Sequence, residues 1–216
     1  MTYLQLVNSV LRRLREDEVV SVENSTDSYI KLIGDYVNDA KRIVEDSWDW
    51  TMLRTTDVVS TSSGQYVIQL SNLGNSFKTL FVRNIDTKSD MKQVSYYELA
   101  KKHDNPSSGS PQYFSYDNEL VESGKVSMLV YPTPDKEENL QLYVVQKTDG
   151  LTTDNATLKV PSAPVIHYAV ALAARERGET GGTSAQELFS VADTMLADAI
   201  AIDASRVPYE TIWTPC

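Results

Sequence analysis

The hydrophobic period of this chain changes twice, and that change limits the folds open to it. Leu4, Val7, Val10, Leu11 and Leu14 recur every three or four residues, one face of a helix, with Arg12, Arg13 and Arg15 on the other side. Ser25, Thr26 and Asp27 supply capping side chains for a second helix. Ile30, Ile33, Val37, Ala40 and Val44 mark its inner face, and it is expected to end near Trp48. Gly34 inside that helix costs roughly 1 kcal/mol relative to alanine, which points to a close neighbour there.

After Leu53 the pattern turns strand-like. Residues 65–70, 79–85, 112–116, 125–131 and 140–147 are rich in β-branched and aromatic side chains and are separated by Gly, Asn, Ser and Pro. Ser95 and Glu98 form a capping-box pattern for a short helix over 95–102. Helices return after Pro161, with Ser162 as expected cap, Pro164 in the first turn and an alanine-dense surface to Arg177. Gly178, Gly181 and Gly182 break that helix, and Thr183 or Ser184 opens a last long one to about Ala204. The expected fold is α+β. N- and C-terminal helices form an antiparallel bundle, around a central β-rich insertion of five or six strands, sandwich or barrel-like, and an extended C-terminal arm follows. The boundaries read 1–54, 55–160, 161–205 and 206–216. Trp48 and Trp50 sit at the first junction and are read as the anchor between modules.

At ~100° per residue, Leu188, Val191, Met195, Leu196, Ile200 and Ile202 cover about half of the last helix. One neighbour needs a narrower stripe, so this helix has two apolar neighbours, within the same bundle or on another subunit. The arm carries Val207, Pro208, Tyr209, Ile212 and Trp213. Aromatic residues are scarce in solvated tails, so docking is expected, on a partner in preference to its own domain.

Of 216 residues, 20 are Lys or Arg and 30 are Asp or Glu, a formal charge of -10. That balance disfavours a whole-domain grip on nucleic acid, because phosphate contacts need clustered cations. Between Arg177 and Arg206 there is no cation, while Glu179, Glu187, Asp193, Asp198 and Asp203 are acidic. The one cysteine, Cys216, is the last residue, so neither an intrachain disulfide nor a cysteine metal site is available. No cationic run precedes an apolar core at the N-terminus and no apolar run approaches the ~20 residues of a membrane span, so synthesis in the cytosol is expected.

Catalytic motifs are sparse. Glu137 and Glu138 form a carboxylate pair but read as a solvated loop, and Asp35 with Asp39 or Asp135 with Asn139 reads as polar surface before cation site. His103 reads as a helix-end surface residue and His167 as a packed one. No metal, cofactor or catalytic residue is expected.

The order of modules then carries a resemblance. Trp48-Asp49-Trp50-Thr51-Met52-Leu53-Arg54 closes the second helix, Val126 to Tyr131 leads into Pro132-Thr133-Pro134-Asp135, and Pro161 precedes the alanine-rich helix Val165–Gly178. Over about residues 1–205 this resembles the head-to-tail adaptors of short-tailed bacteriophages, the tail tubular protein A type. The resemblance implies a non-enzymatic virion protein made in the host cytoplasm. It implies a ring, usually of twelve copies, that binds the portal ring above and the tail nozzle (tail tubular protein B type) below, with tail fibres at the side in some phages. Genomic DNA would pass through without specific binding. On that reading Glu187, Asp193, Asp198 and Asp203 are candidates for the channel wall, since acidic walls repel phosphate, and Val207, Pro208, Tyr209, Ile212 and Trp213 for portal docking. Alternatives are another neck or tail-completion protein, a cell-wall hydrolase, or a carbohydrate-binding module using Trp48, Trp50 or the tyrosine-rich strands.

Overall fold

A computed structural model describes residues 1–74, 76–117, 126–177 and 183–206, the side chains of 183–185 excepted. The chain divides into two compact units, one of Met1–Met52 with the described residues from Thr148 onward, the other Leu53–Lys147. The class is α+β, as the periods predict.

The first unit holds α1 (Tyr3–Arg13), α2 (Ser28–Ser47), α4 (Ser162–Glu176) and α5 (Thr183–Ala204), with α3 (Tyr96–His103) falling in the second unit. α1 starts on a capping box that the sequence reading missed. Thr2 Oγ1 accepts the Gln5 N–H at 3.3 Å, and Gln5 Oε1 accepts the Thr2 N–H at 3.0 Å. Asp27 caps α2, accepting the Tyr29 N–H at 2.8 Å. The expected Ser162 cap is corrected: Ser162 is already helical, and Pro161 precedes the helix without a side-chain bond to it. α4 packs against α1, α2 and α5. This explains its alanines: Ala169, Ala171, Ala173 and Ala174 are buried on more than one side, as a helix apolar all round must be. The stretch 148–160 belongs to this unit, where Tyr3 N–H donates to the Ala156 carbonyl at 2.8 Å and Val22 N–H to Asp154 Oδ1 at 2.8 Å.

The second unit is one seven-stranded sheet with a helix on it. Its strands are β1 (Arg54–Ser60), β2 (Val67–Gln69), β3 (Phe77–Asn84), β4 (Ser89–Gln93), β5 (Tyr113–Asp117), β6 (Ser127–Tyr131) and β7 (Asn139–Gln146). The order is β1-β7-β3-β4-β5-β6-β2, with β4 and β5 parallel and every other pair antiparallel. β1 and β4 went unread in the sequence. β1 is an edge strand with five of seven residues exposed, and β4 buries Met91 alone, so neither shows an apolar alternation. One cluster gathers Ile68 from β2, Val82 from β3, Phe114 from β5, Met128 from β6 and Leu142 from β7, with Val59 of β1 against it. Side chains from both edges can share one core only if the sheet curls round it. α3 (Tyr96–His103) connects the parallel pair and sets its one buried residue, Leu99, against Val94 and Leu129. Ser95 caps it through the Glu98 N–H at 3.2 Å. β6, covered on both faces, is therefore buried almost throughout.

Candidate functional site

Two clusters of partnered polar groups lie where the chain leaves and re-enters the helical unit. At the exit, α2 ends at Trp48 in extended backbone, and the Trp50 indole, 1% exposed, donates to the Val44 carbonyl at 2.7 Å. Asp203 of α5, 3% exposed, accepts from the Trp48 indole at 3.1 Å, from the Thr51 N–H at 3.0 Å and from the Thr51 hydroxyl at 2.6 Å. Arg206 stands 3.4 Å from the same carboxylate. Burial pushes the Asp203 pKa up, but these donors and the Arg206 charge outweigh it, so the group is held below its ordinary value.

At re-entry, Lys41 and Glu45 of α2 form a buried pair at 3.1 Å. Lys41 also donates to the Thr148 carbonyl at 2.7 Å, and the Thr148 hydroxyl donates to Glu45 at 2.6 Å. A buried ion pair is tolerable only when such further bonds complete it.

The remaining acidic residues named from sequence separate in kind. Glu187 and Asp198 are exposed. Asp193 is exposed as a residue, yet its carboxylate accepts the hydroxyl of buried Tyr168 across the α4–α5 contact. Burial and that carboxylate push the Tyr168 pKa up to about 12. Asp203 is spent on the exit clamp. Val207, Pro208, Tyr209, Ile212 and Trp213 lie outside the described residues.

Glu138 overturns the solvated-loop expectation. It is 1% exposed, bonded to Asn84 at 2.6 Å and Ser110 at 2.5 Å, with Lys136 at 3.2 Å. Burial alone would raise its pKa, but these partners hold it low. A carboxylate kept ionised and saturated with donors anchors a loop; it lends no proton. The signal was not local, since Asn84 and Ser110 lie 54 and 28 residues away. His103 packs between Tyr66 and Tyr131, with ring centroids at 4.6 and 5.5 Å, and its pKa is lowered by burial. His167 is lowered by burial and by the Arg13 charge. Among the described residues, no three His, Cys, Asp or Glu side chains gather as a metal site would require.

Each unit also carries a concavity lined by described residues. In the sheet unit, a cleft of about 760 Å³ lies between β1 and the segment Gly64–Gln69. In the helical unit, a more apolar pocket of about 460 Å³ opens between the start of α4 and the end of α5. Trp50, Met52, Pro161, Pro164, Met195 and Ile202 line it, with Asp198 and Arg206. Sequence reasoning did not find it, because its walls come from three separate stretches of chain. With Trp50 buried, Trp48 and Trp50 do not stand open together to a sugar ring.

No curated protein matches the chain. The family model for SU10 adaptor protein matches residues 1–211, and the chain therefore belongs to that family of phage adaptors.

Proposed function

From membership of a phage adaptor family, we propose that this protein is a virion component forming a ring between portal and tail nozzle, of the tail tubular protein A type, with twelve copies lining the DNA exit path. The observation that carries the reading is the match over residues 1–211, nearly the whole chain. Attachment by shape, without turnover, also accords with carboxylates that are engaged in holding the fold.

The surface of α5 supports self-assembly. Val191 is 44% and Ile202 60% exposed, on a helix whose apolar residues exceed what α4 covers. A heterologous contact of this kind, repeated by rotation, closes into a ring. The acidic wall is assigned to Glu187, Asp193 and Asp198, whose repulsion of phosphate is felt within roughly 8–10 Å at ordinary salt. Asp203 is given the clamp role instead. Trp48 and Trp50, at the step from helix to sheet, keep the proposed role of anchoring the junction.

The arm beginning at Val207 is proposed to add a second, tethered contact to the portal, with the nozzle and, in some relatives, fibres as further partners. Chains lacking 207–216 should remain folded and lose most of their affinity for purified portal in sedimentation. Undiminished binding would reject the arm's role.

A further inference from the structure

We propose that the cleft of the sheet unit is a strand-acceptor site, which takes an uncharged, extended segment of another protein between β1 and β2. These two strands end the sheet on either side, and among the described residues neither has a partner on its outer edge. The ladders show which groups stand free. Thr61 N–H donates to the Glu138 carbonyl, so in the same register Val59 and Asp57 bond β7, while Thr56, Val58 and Ser60 turn their N–H and C=O groups outward. Leu70 N–H donates to the Val126 carbonyl and Val130 N–H to that of Tyr66, so on β2 it is Val67 and Gln69 that point outward. Val58, Ser60, Val67 and Gln69 all line the cleft.

The chemistry of the edges identifies the occupant. Free donors and acceptors alternating along a strand edge are matched by the backbone of another extended chain. β1 and β2 run in opposite directions, because every pairing between them across the sheet reverses direction except the parallel β4–β5 pair. One entering strand is therefore antiparallel to one edge and parallel to the other, and bonds both. Exposed edges are ordinarily guarded by lysine or proline. Here no proline and a single charge, Asp57, fall between Arg54 and Lys78. That carboxylate accepts from Asn72 Nδ2 at 3.0 Å through Oδ1, while its buried Oδ2 lacks a donor among the described residues. The lining itself holds no charged side chain, so a charged segment would give up water there without a counter-charge, and an uncharged one is favoured. The inference stands apart from the portal reading: the test below contains no portal, and its failure leaves portal binding untouched.

The test uses the full chain and a synthetic probe, the end-blocked peptide Thr-Val-Thr-Val-Thr-Val-Thr carrying a fluorophore on a glycol tail. Because the main chain does the recognising, this neutral strand suffices. Fluorescence anisotropy should show saturable binding, and the amides of Thr56, Val58, Val67 and Gln69 should exchange hydrogen about tenfold more slowly in the complex. The same peptide methylated on alternate backbone nitrogens loses its donors to one edge and should bind about tenfold more weakly. Val58→Pro removes an outward N–H that β7 does not use. It should weaken binding of the unmethylated peptide likewise, with far-ultraviolet circular dichroism reporting an intact fold. Absence of saturable binding overturns the proposal, as does binding that methylation leaves unchanged. Protection of those amides in the chain alone that is lost on dilution also overturns it, by assigning the edges to a second copy.

Discussion

The Trp48 indole donates to the carboxylate of Asp203, 155 residues away, and so ties the end of α2 to the end of α5. Thr51 adds two bonds to the same carboxylate. Asp203→Ala would leave three donors facing a hole. The expected loss is about 3 kcal/mol of unfolding free energy, measured by urea denaturation. A loss within the scatter of surface substitutions would show that the clamp is not a structural element.

Glu138 and Asp203 both have folded pKa values below their ordinary ones. A depressed carboxylate contributes stability that is complete above its unfolded pKa and is lost as pH falls through the folded value. Stability should therefore drop on the acid side, starting near the ordinary carboxylate range. Glu138→Gln should cost about 2 kcal/mol at neutral pH and flatten that acid limb. Chemical denaturation at a series of pH values decides it: parallel acid limbs for the two proteins would contradict the assignment.

The Tyr168–Asp193 contact predicts the opposite limb. A phenol raised from 10.0 to about 12 contributes stability that is complete below the unfolded value and lost as pH rises through the folded one. Ultraviolet titration should contain a late component that Tyr168→Phe removes. Asp193→Asn should bring it down, though not to 10, because burial remains. An unchanged titration would mean that Tyr168 does not face Asp193.

A β-carbon at Gly34 would collide with the Tyr3 hydroxyl and stand 3.3 Å from the ring carbon bearing it. Overpacking of this kind costs about 1–3 kcal/mol, against a helix-propensity gain of roughly 1. Gly34→Ala should thus destabilise by about 1 kcal/mol. In a Tyr3→Phe background the same change should be neutral or stabilising. Equal effects in both backgrounds, by thermal unfolding, would remove the proposed coupling.

Sequence showed much of this. The helical faces of α1, α2 and α4, the caps at Asp27 and Ser95, and the close neighbour of Gly34 were readable because each depends on residues a few positions apart. β1 and β4 were not, since an edge strand and a strand with one buried residue carry little periodic signal. The buried carboxylates were the hardest. Glu138 sits in a run of Asp, Lys and Glu that any local reading places in solvent, and only strands brought together by the sheet enclose it. Asp203 is one of four channel-wall candidates on the resemblance, and the bonds that Trp48 and Thr51 make to it join residues some 150 positions apart, which no local pattern shows. The pocket is invisible for the same reason, as Trp50, Pro161 and Ile202 meet only in three dimensions.

A phage adaptor of the proposed kind would act by attachment, as a ring between portal and tail nozzle. Electron microscopy of the purified protein mixed with the portal of its own phage tests it most directly. A new ring of density is expected on the tail-facing side of the portal, with one symmetric set of subunits around an open channel. Portal particles that stay bare at saturating protein, or that gain density without a ring, would contradict it.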